Sequence, residues 1–208
     1  PDEARIVRTA EGNPLFLEQL VATRTECGAE HLPPNVQAVL TARVASLDHG
    51  ERAVLEHASV EGRNFRWSVV AELLPDEARE TLGRDLMALV RRQLIEPDPS
   101  VFAGEDGFRF SHVLIREAVY EGLPKEVCAD LHERLASRLR EGPGSEDEVV
   151  GHHLEQAFRA RSQLGLVGER EWELAREAQA RLATAAHKVL LAGDPDAAAD
   201  LLTRAVSL

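Results

Sequence analysis

Aromatic residues, cysteine and long apolar runs are scarce in this chain of 208 residues. Only 4% of the residues are Phe, Trp or Tyr, and the chain holds two cysteines and one methionine. No apolar run approaches the roughly 20 residues that a membrane-spanning helix needs, and no signal peptide precedes the first helical stretch. We therefore expect a soluble, cytoplasmic protein without a membrane partner. The first residue is Pro1 rather than methionine, which suggests a segment of a longer polypeptide.

The motifs that would indicate catalysis or a metal site are missing as well. Cys27 and Cys128 are far apart and neither has a second cysteine at metal-like or redox-like spacing, so we expect free, mostly buried thiols. No Gly-x-x-x-x-Gly-Lys-Ser/Thr loop occurs, and Ser111 lacks a nucleophile-elbow context. We predict no catalytic residues, and we expect that this segment cannot hydrolyse ATP.

Histidines next to other possible ligands occur at two places, His152-His153 followed by Glu155, and His132-Glu133. Adjacent side chains on a helix point about 100° apart and cannot easily face one ion, and no His-Glu-x-x-His spacing exists. We therefore predict that these histidines pack between helices, and that the segment has no metal site.

The charge is strongly acidic, with a net value of −12. Residues 33–141 alone hold 14 Lys and Arg against 19 Asp and Glu, a net charge of −5. Nucleic-acid binding needs a clustered positive surface, so DNA is an improbable partner. What is abundant is Ala, Leu, Arg and Glu, a composition typical of helical proteins.

One stretch, residues 108–123, changes its periodicity from two residues to that of a helix. Phe108, Arg109 and Phe110 alternate as in a half-buried strand, and the apolar positions from Val113 onward follow a helical stripe. His112 therefore lies where a strand becomes a helix. A side chain in this position can cap the helix or pack in the junction.

Upstream, Leu94-Ile95-Glu96 can form the partner strand, with Pro97, Pro99, Gly104 and Asp106-Gly107 supplying turn residues. The helices before it are predicted from apolar stripes, from the capping box Asp48-x-x-Glu51 and from Gly62 as a C-terminal cap. Three helices and a two-stranded wing predict a winged helix-turn-helix. A plain surface hairpin on a helical domain is the alternative.

After residues 142–145, Gly-Pro-Gly-Ser, the pattern is again helical, and we place a domain boundary there. The stretch LATAAHKVLLAGDPDAAADLLTRAVSL resembles a tetratricopeptide repeat, with Ala185 and Ala186 on one helix, Gly193-Asp194 in the turn, and a second helix whose marked positions are Ala198, Leu202 and Ala205. Small residues let two antiparallel helices approach closely. The predicted fold class is mainly α: a winged helix-turn-helix with a small β-hairpin wing over 32–142, then antiparallel helices like those of tetratricopeptide repeats over 143–208.

The first 142 residues resemble a known family in the order of their segments. GNPLFLEQL is similar to the Gly-x-Pro segment in the helical lid of STAND-type AAA+ ATPases. Three later segments are similar to the winged helix of such ATPases in bacterial LuxR-type regulators and class III adenylate/guanylate cyclases. They are LPPNVQAVLTARVASLDHGERAVLEHASVEGRNF, DLMALVRRQLIEPD and FRFSHVLIREAVYEGLP. The resemblance implies that residues 1–31 end the lid. It also implies that Gly12 and Pro14 contact the nucleotide, the proline packing on the adenine ring.

The same family carries a Met-His-Asp type motif at the end of its winged helix, and its histidine donates a hydrogen bond to the β-phosphate of ADP. The matching residue is His112, with Ser111 and Val113 in place of Met and Asp, so only the histidine is carried over. An imidazole N–H suits that task. The resemblance implies an ATP or ADP site only in the full-length parent, with no cofactor expected in this segment.

The resemblance implies a non-catalytic regulatory segment that closes on an upstream ATPase core of the same chain and relays signals from a protein or small-molecule effector at the repeats. One alternative is a transcription factor whose winged helix binds DNA through Arg84, Arg91 and Arg92. Another is the regulatory arm of a nucleotide cyclase. The output domain lies outside these residues in each case.

Overall fold

The computed structural model describes residues 34–100, 106–141, 146–165 and 167–208. The described chain forms two compact units, of which the first ends at Gly122 and the second begins at Leu123. The first contains helices α1 Pro34–Ala45, α2 His49–Glu61, α3 Trp67–Leu73, α4 Asp76–Arg79, α5 Leu82–Arg91 and α6 Val113–Glu121, and strands β1 Asn64–Arg66, β2 Ile95–Pro97 and β3 Gly107–Phe110. The second contains α7 Lys125–Glu141, α8 Asp147–Gln163, α9 Glu169–Leu191 and α10 Pro195–Val206.

The capping signals of the first unit act as the sequence predicts. Asp48 accepts a hydrogen bond from the Glu51 amide at 2.8 Å, and the Glu51 carboxylate accepts from the Asp48 amide at 3.3 Å, which completes the capping box of α2. Gly62 ends the helix with a φ of 147°, a conformation that glycine adopts without steric cost. The beginning and end of α2 are therefore fixed by local sequence.

The three strands form an antiparallel sheet in the order β1-β3-β2. Glu96 lies opposite Arg109 in the predicted hairpin, and their side chains form an ion pair of 2.7 Å. Strand β1 was not predicted from the sequence. Its Phe65 is fully buried, with its ring centre 5.8 Å from that of Phe108 and 5.5 Å from that of Phe110. These aromatic contacts attach the third strand to the hairpin.

Helices and sheet share one apolar core in the first unit. Burial of such side chains contributes on the order of 1.5–3 kcal/mol each, so this core is the main source of stability of the unit. Its largest fully buried members are Phe65, Phe110, Leu40, Leu55, Leu74, Leu82, Leu86, Leu89, Leu94, Ile95 and Leu114.

The second unit consists of four helices packed in sequence order, α7 on α8, α8 on α9 and α9 on α10. Small residues predominate between α9 and α10, where Ala185, Ala186, Ala198 and Ala205 are buried. The turn between these helices has Gly193 at a φ of 91°, and Asp194 then caps α10 by accepting from the Ala197 amide at 3.0 Å. The predicted turn and the predicted small-residue contact are confirmed.

One position that the sequence predicts to face inward, Val127, does not, and Leu202, a marked position of the repeat-like stretch, is exposed as well. Val127 is 39% exposed on α7, and Leu202 is 46% exposed on α10, where Leu201 is the buried residue. Val127 and Cys128 compete for the inner face of α7, and Leu201 and Leu202 compete for the inner face of α10. The packing of the partner helix decides which residue of each pair is buried. Helix α7 also belongs to the second unit, whereas the sequence placed it in the winged-helix domain.

The described residues are mainly helical with one small antiparallel sheet, as predicted. In the described ranges, no helix is both long enough and apolar enough to cross a membrane. Cys128 is buried and is not part of a disulfide, as predicted. Cys27 lies outside the described residues.

Candidate functional site

His112 lies at the junction between β3 and α6, as the change of periodicity predicts. It is the N-cap of α6, with extended backbone angles, φ −146° and ψ 139°. Its Nδ1 accepts a hydrogen bond from the amide of Leu114 at 3.2 Å, and the residue is 7% exposed. The imidazole therefore satisfies one of the amides that the first turn of a helix leaves without a partner.

The backbone on both sides of His112 is fixed by neighbouring elements. The Ser111 amide donates to the carbonyl of Leu94 at 3.0 Å, next to β2, and the Phe110 amide donates to the carbonyl of Arg63 at 2.9 Å, next to β1. The His112 carbonyl accepts the first helical hydrogen bond of α6, from Ile115 at 3.0 Å. Sheet and helix thus hold the ring in one orientation.

The cap also determines the tautomer of the neutral ring. Because Nδ1 of His112 accepts a hydrogen bond, a neutral imidazole carries its hydrogen on Nε2. The chemical capacity of this side chain is then one N–H donor on a rigid support.

The other two predicted nucleotide contacts, Gly12 and Pro14, lie outside the described residues. The relation of Gly12 and Pro14 to His112, and the lid assigned to residues 1–31, stay predictions.

The three arginines of the DNA-binding alternative lie on α5 or just after it. Arg84 donates from Nε to Oδ1 of Asp85 at 2.9 Å, and Asp85 is 2% exposed. Arg92 donates from Nε to Oε1 of the buried Glu51 at 3.1 Å. Arg91 is exposed. Two of the three charges thus compensate buried carboxylates within the fold.

The sequence predicted that His132 and His153 pack between helices, which their burial confirms, but it did not predict that they contact each other. His132 on α7 and His153 on α8 lie with their Nδ1 atoms 2.8 Å apart, and both rings are buried. Near them, Glu155 is 1% exposed and pairs with Arg204 and Arg159. The signal available in the sequence was a histidine on the apolar face of each helix. Which histidines meet depends on how the helices pack.

Metal binding has no support in this geometry. In the parts of the chain that the structure describes, no three His, Cys, Asp or Glu side chains are arranged to hold a metal ion. The two Nδ1 atoms of His132 and His153 share a hydrogen bond at 2.8 Å, so these atoms bind each other instead of facing a common ion.

Comparison with known proteins gives no relative. No family model, no curated protein and no solved structure matches the chain. The resemblance to STAND-type ATPases therefore depends on the sequence segments themselves.

Proposed function

We propose that this chain is a non-catalytic regulatory segment of a STAND-type ATPase, comprising the end of the lid, a winged helix and the start of a tetratricopeptide-like sensor region. In this proposal, ADP bound to an upstream core of the same polypeptide holds the lid and the winged helix closed. An effector at the helical repeats, together with ATP exchange, opens them. A switch of this kind needs contacts that differ between its two states.

The first unit supports the winged-helix part of this proposal. Helices α2, α3 and α5 precede a hairpin, β2 and β3, and the short strand β1 between α2 and α3 pairs with the inner strand of that hairpin. Helices followed by a β-hairpin that returns to an earlier strand are the parts of a winged helix. The hairpin is the wing, and α5 occupies the position of the recognition helix.

The single observation that carries the proposed nucleotide role is the geometry of His112. Its Nδ1 is occupied by the Leu114 amide, so Nε2 is the nitrogen that bears hydrogen in the neutral ring. A fixed N–H donor at the foot of the wing matches the role that the family assigns to this histidine, a hydrogen bond to the β-phosphate of ADP. A hydrogen bond to a charged acceptor is worth about 1.5–3 kcal/mol.

The second unit supports the sensor part. Helices α9 and α10 are antiparallel neighbours joined by a tight turn at Gly193 and Asp194, with alanines between them. Close helix pairs of this kind are the units from which repeat arrays are built. We assign the effector, a protein or a small molecule, to this region.

Direct DNA binding has weaker support. Arg84 and Arg92 are engaged with buried carboxylates, so moving either one to a phosphate would leave a buried charge without compensation. The net charge of −12 also repels a duplex over most of the surface. We therefore favour packing of the winged helix on an ATPase core.

The test of the nucleotide role separates capping from phosphate binding with two substitutions at His112 in the full-length polypeptide. His112→Ala removes both functions, whereas His112→Asn keeps a good N-cap acceptor but lacks the Nε2 donor. We expect both variants to release a fluorescent ADP analogue about ten- to a hundredfold faster than the parent, following the 1.5–3 kcal/mol of the lost bond, and to raise basal output. Release from His112→Asn at the parental rate would assign this residue to capping alone. Substitution of the exposed His187→Asn serves as the control.

A gel-shift titration over a range of salt tests the DNA alternative. Binding that weakens steeply with salt and is lost in the double variant Arg91→Glu, Arg92→Glu would favour DNA recognition over core packing. We expect no such binding.

A further inference from the structure

We propose that His132 and His153 form a proton-sensitive latch that joins α7 to α8 near neutral pH and weakens in acid. The two rings are 1% and 2% exposed, their Nδ1 atoms are 2.8 Å apart, and their ring centres are 5.1 Å apart. The inference is independent of the nucleotide role proposed for His112, which lies in the other unit.

The latch depends on the number of protons that the pair can hold. A hydrogen bond between two Nδ1 atoms needs one hydrogen between them, so one ring donates and the other accepts. The neutral pair satisfies this, and so does a pair with one extra proton on the outer nitrogen of the donor ring. A second extra proton would place hydrogens on both facing nitrogens and break the bond.

Charged groups near the pair are engaged with one another. His152, on α8, has its ring centre 6.2 Å from that of His132 and 5.3 Å from that of His153. Its Nδ1 lies 3.2 Å from Nη2 of Arg204 on α10. The buried Glu155 is bound by Arg204 at 2.5 Å and by Arg159 at 2.8 Å. The one buried carboxylate of the cluster is thus already compensated by two guanidinium groups.

Further charged groups on the helices packed against α8 are engaged with partners of their own. On α7, Cys128 lies one turn before His132, and Glu133 next to it pairs with Arg161 and Arg170. Charged residues of α9 also contact α7 and α8: Arg170 pairs with Glu133, Glu171 lies 3.9 Å from Arg161, Glu177 pairs with Arg140, and Arg181 and Lys188 both pair with Asp147. Each of these carboxylates is matched by a guanidinium or ammonium group.

The unfolded chain has no such restriction, because both imidazoles bind a proton once the pH falls below about 6.5. The folded unit then binds at least one proton fewer than the unfolded chain. Its unfolding constant therefore rises about tenfold for each pH unit below about 6. Because α8 also packs against α9, loosening α7 from α8 affects the helices that we assign to the sensor region.

The experiment measures unfolding of the whole chain by urea between pH 5 and pH 8. In a Trp67→Phe background the fluorescence of Trp172 reports on the second unit, where its ring contacts that of Phe158. The test variant is His132→Asn, whose amide can turn to donate to or accept from His153, so that His153 can be protonated in the folded protein without loss of this hydrogen bond. The matched control is His187→Asn, an exposed histidine of the same unit.

We expect the unfolding constant to rise about tenfold more from pH 6 to pH 5 in the parent and in the His187→Asn control than in His132→Asn. Equal pH dependence in all three would overturn the latch. Nitrogen-15 NMR of the imidazoles gives a second measurement that needs no variant. Near pH 7.5 we expect one of the two rings to carry hydrogen on Nδ1 and the other to have a bare Nδ1. Two rings that both carry hydrogen only on Nε2 would also overturn it.

Discussion

The carboxylate of Asp85 occupies the space that any side chain at position 50 would need. A methyl group on Gly50 would lie 2.5 Å from Oδ2 of Asp85. Gly50 is in the first turn of α2 and Asp85 is on α5, so the contact joins two helices of the first unit. A carboxylate is stabilised near a helix N-terminus, where the backbone amides point outward.

Replacing Gly50 by Ala should destabilise the first unit by about 1–3 kcal/mol, the usual cost of overpacking a buried site. Asp85 cannot move aside easily, because Thr81 donates to its Oδ2 at 2.7 Å and Arg84 donates to its Oδ1 at 2.9 Å. Urea unfolding followed by Trp67 fluorescence measures the effect.

The control for this substitution is Gly83→Ala on α5. A methyl group at Gly83 meets no atom within 4 Å, and alanine favours the helix over glycine by about 0.5–1 kcal/mol. Gly83→Ala should therefore stabilise the unit slightly. A Gly50→Ala protein as stable as Gly83→Ala would show that Asp85 does not restrict this site.

A second close approach, in the other unit, makes Gly151 necessary for the packing of α8 on α9. A methyl group there would lie 3.0 Å from Cγ of Leu182 and 3.2 Å from Cβ of Arg181. Leu182 is fully buried, so a shift of its side chain by a few tenths of an ångström would press on other core residues. Gly151→Ala should lower the free energy of unfolding of the second unit by about 1–3 kcal/mol, as measured by Trp172 fluorescence in urea. An unchanged unfolding midpoint would contradict this packing.

The first residue of α8, Asp147, should make the second unit sensitive to strong acid. Hydrogen bonds from Lys188 and from Arg181 lower the pKa of Asp147 below its usual value. Because the folded-state pKa is the lower one, the stabilisation is present above the unfolded value of about 3.9 and is lost as the pH falls through the folded pKa. Asp147→Asn should therefore be less stable than the parent by about 0.5–1 kcal/mol at pH 7, and the difference should shrink between about pH 5 and pH 3.

The pH range in which Asp147 loses its stabilising effect lies below that of the histidine latch, so the two effects can be measured in one titration. The exposed Asp200, on α10, supplies the control, since Asp200→Asn should leave the unfolding free energy within about 0.5 kcal/mol at every pH. A constant difference between Asp147→Asn and the parent from pH 7 to pH 3 would argue against the ion pairs with Lys188 and Arg181.

Local signals in the sequence predicted much of the secondary structure. The Asp48-x-x-Glu51 box, Gly62 and the turn at Gly193 each depend on residues a few positions apart, and the hairpin of β2 with β3 was predicted from alternation within β3 and from the turn residues before it. Such preferences act within one or two turns of chain. Strand β1 was missed because it has three residues, and its pairing partner, β3, is more than forty positions away.

The candidate site, too, was predicted from the sequence only in part. The change of periodicity placed His112 at a strand-to-helix junction, and the structure adds the atom that caps the helix and hence the nitrogen that carries hydrogen. The roles of Gly12, Pro14 and His112 toward a nucleotide stay predictions.

Local signals in the sequence set both ends of α2, the start of α10 and the mainly helical character of the chain, because capping and periodicity are properties of neighbouring residues. Tertiary structure alone decided that Asp85 lies against Gly50 and that Leu201 rather than Leu202 faces the core. It also decided that His132 meets His153 across 21 positions of chain. Such contacts depend on the rotation and depth at which helices pack, and these are set by the shape of the whole interface.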